Sequence, residues 1–233
     1  MKNLFRKNRE FWTHDRSITA LLIYLILSLF LWITFSGKGW IEFIIRDIVF
    51  NLIILSGIFA VLTRWKQQIF FILLGILALS VRIFSYAFPV LWLHVFTSIS
   101  AILFFSILVY LVLHHVFKEG PVNFYRIQAA IVIYLIMGII WATMYELIYQ
   151  INTGSFEFID IVKPAENTFS QFLYFSFVTL STLGYGDVIP VANVARSLVI
   201  FQGMFGMLYP VVMIARLVSM EVEHSKSHHK KYN

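Results

Sequence analysis

Residues 168–190 read TFSQFLYFSFVTLSTLGYGDVIP, and this stretch decides how the chain is organised. It begins at Thr168, continues as one short apolar segment, and ends in a glycine-containing string that stops at Pro190. Gly and Asp are ordinary residues of surface turns, so the string alone would indicate a turn. It follows a short apolar segment, however, and lies between two long apolar ones. The context therefore favours a short helix and a functional loop within a membrane protein.

The composition of the 233-residue chain argues against the soluble classes of protein. Hydrophobic residues make up 60% of the chain and charged residues 13%, whereas average proteins have about 45–50% and about 25%. The chain contains no cysteine, which excludes a disulfide framework and a thiolate metal site. Its net charge of +6 lies in short basic clusters between apolar runs. That distribution indicates membrane topology rather than a nucleic-acid partner.

Several apolar runs are long enough to cross a bilayer. They cover residues 17–35, 43–62, 69–88, 90–117, 127–149 and 194–218. The first run is longer than a signal-peptide core and has no clear small-residue cleavage site, so we expect it to remain as a span. Gly120 and Pro121 mark the best boundary between four N-terminal spans and the rest. The predicted domains are residues 1–120, 121–220 and a short cytoplasmic tail at 221–233.

The distribution of lysine and arginine predicts the orientation of these spans. If the N-terminus is cytoplasmic, most of the 18 basic residues lie on the inner side. The outer segments then hold only Lys38, Arg46, Lys163 and Arg196. We therefore expect a multi-pass protein of a cell membrane, plasma or inner, with both termini in the cytoplasm. The same topology places residues 184–186 near the outer face.

The string Ser181-Thr182-Leu183-Gly184-Tyr185-Gly186-Asp187, with an apolar run on each side, resembles the filter of tetrameric potassium channels. The resemblance covers about residues 126–220. It implies an all-α membrane protein: four N-terminal transmembrane helices, then a two-helix pore domain with a re-entrant pore helix and a selectivity-filter loop. It also implies that four filters surround one axis. Because the chain has one such loop, a homotetramer follows.

The chemistry of the filter can be argued from its residues. Stripping water from K⁺ requires closely spaced oxygens of carbonyl strength, which is the mechanism known for potassium channels. Gly184 and Gly186 allow the positive φ that makes successive carbonyls face one way. Thr182 adds a hydroxyl at the inner end, while Leu183 and Tyr185 point away from the ions. The predicted K⁺ ligands are therefore Thr182, Leu183, Gly184, Tyr185 and Gly186, with Asp187 at the outer mouth.

The last span carries the predicted gate. Gly206 lies where related channels often have a hinge glycine, and Pro210 approximates the helix-bending proline of the family. Glycine weakens a helix and proline removes a backbone hydrogen bond, so a bend costs least here. The alternative is that the glycines allow close helix packing.

The chain departs from the family pattern at several positions. Val178 stands where some bacterial channels have a pore-helix glutamate, and Phe175 replaces a tryptophan whose indole N–H could bond near the filter. The run 90–117 contains no Arg or Lys, so we expect conduction that is independent of voltage. Arg82 and Asp47 lie at about the same depth in two earlier runs, and an unpaired charge there would be costly. We predict that they form a structural ion pair.

The sequence therefore predicts a potassium-selective channel that conducts dehydrated ions passively, with K⁺ as permeant ligand, no cofactor, and membrane lipids around it. The alternative is a non-conducting or transporter-associated membrane subunit that retains the filter fold. An enzyme is not expected, because the apolar runs contain no HExxH helix, paired catalytic carboxylates or Ser/His constellation.

Overall fold

A computed structural model describes residues 18–32, 34, 75, 80, 90–117, 122–159 and 168–229. The helices of this part of the chain are α1 (Ile18–Trp32), α2 (Leu91–Val116), α3 (Phe124–Ile151), α4 (Thr168–Leu180) and α5 (Asn193–His229). A 3₁₀ turn at Thr153–Ser155 leads into strand β1 (Phe156–Phe158), and strand β2 (Val188–Pro190) precedes α5. Apart from these two strands and the 3₁₀ turn, the regular structure of the described residues is α-helical, as the resemblance to tetrameric potassium channels implies.

Three of the described helices, α2, α3 and α5, are long and apolar enough to cross a membrane. They correspond to the predicted spans at 90–117, 127–149 and 194–218. The run at 17–35 contains the shorter apolar helix α1. The runs at 43–62 and 69–88 lie outside the described residues, apart from helical Gly75 and Ser80. The arrangement of four helices plus two therefore stays a prediction.

Helix α5 is longer than predicted. Its apolar part ends near Val218, but the helix continues to His229 through residues expected to form a tail. Residues 219–229 contain no glycine or proline, so nothing in the local sequence terminates the helix. The segment expected as a cytoplasmic tail is thus largely a helical extension of α5.

Asparagines define both ends of α3. The Asn123 side chain accepts a hydrogen bond from the Arg126 N–H at 3.0 Å, which satisfies one of the free donors at the start of a helix. At the other end, the Asn152 N–H donates to the Ile148 carbonyl at 2.9 Å. The Asn152 side chain then accepts from the Gly154 N–H at 3.1 Å. These bonds set the direction in which the chain leaves α3.

Helix α3 is the centre of the packing. Residues of α1, α2, α3 and α4 belong to one buried apolar cluster. Leu25 of α1, Phe105 of α2 and Ile136 of α3 are fully buried in it. Helix α1 also bonds to α3, because the Thr19 hydroxyl donates to Gln128 Oε1 at 2.7 Å. The N-terminal helices α1 and α2 therefore pack directly on the helix that flanks the 168–190 stretch.

The two strands connect the C-terminal end of α3 with the N-terminal end of α5. They pair antiparallel, with Phe156 opposite Pro190 and Phe158 opposite Val188. Phe156 is buried, and its ring centroid lies 4.9 Å from that of Phe172 on α4 and 5.6 Å from that of Tyr145 on α3. Aromatic pairs at such distances add to the stabilisation from area burial. The segment after the 181–187 loop is thereby anchored to α3 and α4.

Candidate functional site

The loop of residues 181–187 leaves α4 through a hydrogen-bonded cap. The Thr182 N–H donates to the Thr179 carbonyl at 3.1 Å, and the Leu183 N–H donates to the Val178 carbonyl at 3.0 Å. With Thr182 at φ 59°, these bonds form a Schellman motif, in which the left-handed residue is usually glycine. A β-branched residue with positive φ is a rare conformation. The surrounding structure must therefore impose it on Thr182.

Positive φ recurs at every second residue of the loop. The φ angle is 59° at Thr182, 57° at Gly184 and 77° at Gly186. The two glycines have the expected sign of φ, since glycine adopts it without steric cost. No feature of the sequence indicates positive φ at Thr182, because threonine rarely adopts it. The loop thus has the regular alternation of backbone conformations that the carbonyl mechanism requires.

The loop is open on the side away from its own helices. Residues 181–186 are all exposed in the single chain. The side chains of Leu183 and Tyr185 are 58% and 65% exposed, so no residue in the described part of the chain covers them fully. The carbonyl oxygens of one such loop can contact an ion from one direction only. The loop of one chain therefore does not form an enclosed site.

Asp187, at the C-terminal end of the loop, has a partner on α4 that the sequence analysis missed. The pKa of Tyr174 is raised to about 12, chiefly by burial. The second cause is the Asp187 carboxylate, which accepts a hydrogen bond from the Tyr174 hydroxyl. Phe175 lacks the donor that many relatives have, but the neighbouring Tyr174 supplies one on the adjacent face of α4. The signal in the sequence is an aromatic residue with a hydroxyl directly beside the position without a donor.

The backbone of Asp187 is hydrogen-bonded to the segment that follows α3. The Ile159 N–H donates to the Asp187 carbonyl at 3.1 Å, which extends the pairing between Phe158 and Val188. On the other side of β2, Arg196 Nε donates to the Pro190 carbonyl at 3.1 Å. Sequence reasoning did not identify this bracing, because three-residue strands carry too short a pattern.

The predicted hinge residues lie within the continuous helix α5. Gly206 is buried, and its backbone lies directly on the end of α4: a Cβ added there would collide with the Leu180 carbonyl oxygen and lie 3.0 Å from Leu180 Cα. Pro210 lies one turn further along the same helix. The close approach alone requires glycine at 206, which supports the packing role. The predicted ion pair of Arg82 and Asp47 lies outside the described residues.

The comparisons with known proteins agree with this geometry. Residues 129–223 match the model of a family described as "Ion channel". The match runs from α3 through α4 and the 181–187 loop into α5, and covers less than half of the chain. No curated protein matches the chain. The match and the three apolar helices support an ion channel domain in a multi-pass helical membrane protein.

Proposed function

We propose that this protein is a potassium-selective channel, in which residues 182–186 of four chains form a filter for dehydrated K⁺. The observation that carries the proposal is the left-handed backbone at Thr182, Gly184 and Gly186. On a backbone that alternates in this way, successive carbonyls face one side, and carbonyl oxygens replace the hydration shell of K⁺. The ion passes down its gradient, and the protein makes or breaks no covalent bond.

Fourfold assembly is part of the proposal, because each chain supplies one loop. The exposed loop and an apolar surface on α5 favour it. The exposed residues of α5 include Ile200, Phe201, Met204, Met207, Leu208, Val211 and Val212. Neighbouring copies would cover the surfaces around the axis, and lipid would cover the rest. Asp187 would then form a ring of carboxylates at the outer mouth, and both chain termini would lie in the cytoplasm.

Conduction is proposed to be independent of voltage. A voltage sensor needs several basic residues on one membrane helix, because each charge that crosses the field contributes only about 2.3 kcal/mol per 100 mV. Helix α2, in the position of such a sensor, contains no Arg or Lys. In planar bilayers we expect an open probability that stays level from negative to positive potentials. A steep dependence on voltage would contradict this part of the proposal.

Ion flux into liposomes tests the filter. We expect purified wild-type protein to carry K⁺ far faster than Na⁺, with block by Ba²⁺. Gly184→Ala forces a side chain onto φ 57°, which costs roughly 1–2 kcal/mol in each chain, so we expect K⁺ flux to fall at least about tenfold. Gly154→Ala is the matched control, because Gly154 has no positive φ and a Cβ there would meet only the Asn152 side chain at 3.4 Å.

The outcomes separate the two functions predicted from the sequence. K⁺ flux in the wild type and the Gly154→Ala variant, with loss in Gly184→Ala, supports a channel. Intact tetramers without any K⁺ flux support the non-conducting subunit instead. Equal K⁺ and Na⁺ flux would show a channel without potassium selectivity.

A further inference from the structure

Helices α3, α4 and α5 meet in a buried contact region that we call the register lock. Each helix contributes two residues four apart, which lie on one face of that helix. The register lock consists of Tyr134 and Gly138 on α3, Ser176 and Leu180 on α4, and Gln202 and Gly206 on α5. Ser176 and Gln202 are fully buried, although both are polar.

The first level of the register lock is a polar network around Gln202. Its Nε2 donates to the Ser176 carbonyl at 3.1 Å and to Ser176 Oγ at 2.8 Å. Its Oε1 accepts a hydrogen bond from the Tyr145 hydroxyl. Ser176 Oγ in turn donates to the Gly138 carbonyl at 2.7 Å. Both N–H groups of the Gln202 amide are therefore used, and one polar side chain joins three helices.

The second level lies at the end of α4. The Leu180 carbonyl is one of those that the helix itself leaves unpaired. It accepts a hydrogen bond from the Tyr134 hydroxyl at 3.1 Å, and the backbone of Gly206 lies against it. Phe177 of α4 covers Gly138 of α3 so closely that a Cβ added at Gly138 would lie 2.5 Å from the Phe177 ring.

Together the two levels fix α4 along its axis. A slide of α4 by one residue would separate Ser176 from Gln202 and remove the backbone of Leu180 from Gly206. Water is absent from the interior of a bilayer, so the separated polar groups would find no new partners there. Thr182 follows Leu180 by two residues and is held by the cap of α4. The register of α4 therefore sets the position of the whole filter loop.

We propose that Gln202 is a positioning residue for ion selectivity, which acts through Ser176 and α4 and is itself oriented by Tyr145. The inference rests on the proposed function, since it concerns the filter of a potassium channel. A filter that is displaced or widened loses the carbonyl spacing that favours K⁺ over Na⁺. Loosening this network should therefore raise the relative permeability to Na⁺ even where the protein still folds.

The test uses full-length protein in planar bilayers with K⁺ on one side and Na⁺ on the other. The reversal potential gives the permeability ratio without depending on how often channels open. Tyr145→Phe removes only the hydroxyl that orients Gln202, so we expect the K⁺/Na⁺ permeability ratio to fall roughly threefold to tenfold, the effect of one buried hydrogen bond. Tyr110→Phe is the matched control, because Tyr110 on α2 is 67% exposed. Its ratio should equal that of the wild type.

Variants at Gln202 complete the test. Gln202→Met keeps the length of the side chain but not its polar atoms, and we expect a larger fall in the ratio than for Tyr145→Phe. The carboxyl group of Gln202→Glu is protonated when buried, so it keeps one hydrogen-bond donor and one acceptor. We therefore expect a permeability ratio closer to that of the wild type than to that of Gln202→Met. In the double variant Tyr145→Phe and Gln202→Met, the permeability ratio should fall no further than in Gln202→Met alone, since both substitutions act through one network.

The failures can be told apart. A wild-type protein without K⁺ flux contradicts the proposed function, and the inference fails with it. A selective wild type together with an unchanged ratio in Tyr145→Phe contradicts the inference alone. If Gln202→Met does not fold, as judged by its melting temperature in detergent, the permeability ratio of Tyr145→Phe alone decides whether the inference holds. Lower thermal stability with an unchanged ratio would mean that the network only stabilises the fold.

Discussion

The two ends of α5 are held in different ways. Next to the 181–187 loop, Gln202 and Gly206 lie buried against α4, and Gln202 has polar contacts to α3 and α4. Towards the C-terminal end, the Glu221 carboxylate accepts an exposed hydrogen bond from the Val122 N–H at 2.9 Å, and the Arg216 guanidinium lies 5.9 Å from the centroid of the Phe117 ring. Most of the helix between them is exposed in the single chain. The part of α5 next to the 181–187 loop is therefore fixed by buried contacts, whereas the C-terminal part is attached by exposed ones.

The boundary between the two regions coincides with the predicted hinge. Pro210 has no N–H, so it cannot bond the Gly206 carbonyl as a residue four positions later normally would. The Tyr209 hydroxyl donates to the Ala130 carbonyl at 2.8 Å, which attaches α5 to α3 beside this weak point. We therefore expect any bend to begin beyond Gly206 and to leave the register lock intact.

The largest effect should come from adding a methyl group at the boundary. A Cβ at Gly206 would collide with the Leu180 backbone, which cannot rotate away, whereas a Cβ at Gly203 would meet no atom of the chain within 4 Å. We expect Gly206→Ala to destabilise the folded protein by about 1–3 kcal/mol and to disrupt selective K⁺ flux. Gly203→Ala should be neutral or stabilising by up to about 1 kcal/mol, from helix propensity.

Melting temperatures in detergent and K⁺ flux measure both variants. If Gly206 acts only as a hinge, Gly206→Ala will change how often the channel opens and leave the melting temperature unchanged. That outcome would contradict the packing role and remove the contrast between the two ends of α5.

A smaller effect is expected from the contact between Tyr174 and Asp187. Tyr174→Phe removes the hydroxyl that bonds Asp187, and because this site is only partly buried, we expect a loss of about 0.5–1 kcal/mol. Recordings should show a filter that stops conducting sooner during sustained opening. Tyr185→Phe would be a poor control, since it alters the filter itself, so Tyr110→Phe serves again. Equal conduction in Tyr174→Phe and Tyr110→Phe would exclude a role for this bond.

The same contact predicts how the 181–187 loop responds to pH. The pKa of Tyr174 is raised above its usual value near 10 to about 12. The protonated hydroxyl therefore contributes its stabilisation fully below about pH 10 and loses it as the pH rises through about 12. Between about pH 6 and about pH 9, the difference between wild type and Tyr174→Phe should stay constant.

The sequence predicts those parts of the molecule that repeat or that use unusual residues. Apolar runs of spanning length revealed α2, α3 and α5, and the two glycines of the loop indicated positive φ at Gly184 and Gly186. The register lock could not be predicted, because Gln202 and Ser176 are 26 positions apart and only the fold brings them together. The strands were missed because three residues cannot show a period of two convincingly. Tyr174 could not be predicted from the family pattern, because that pattern places the hydrogen-bond donor at position 175 and not on the neighbouring face of the helix.

The smallest effect should come from the C-terminal end of α5. Glu221 is exposed, so Glu221→Ala should cost less than about 1 kcal/mol. Glu221→Gln keeps an oxygen that can accept from the Val122 N–H but removes the charge near the start of α3, where the helix dipole favours an anion. Since salt screens exposed charges, any difference between wild type and Glu221→Gln should shrink as the salt concentration rises.

The exposed Glu223 on the same helix provides the control, Glu223→Ala. If Glu221→Ala lowers the melting temperature as much as Gly206→Ala does, the two ends of α5 are equally fixed, and the bend must lie elsewhere.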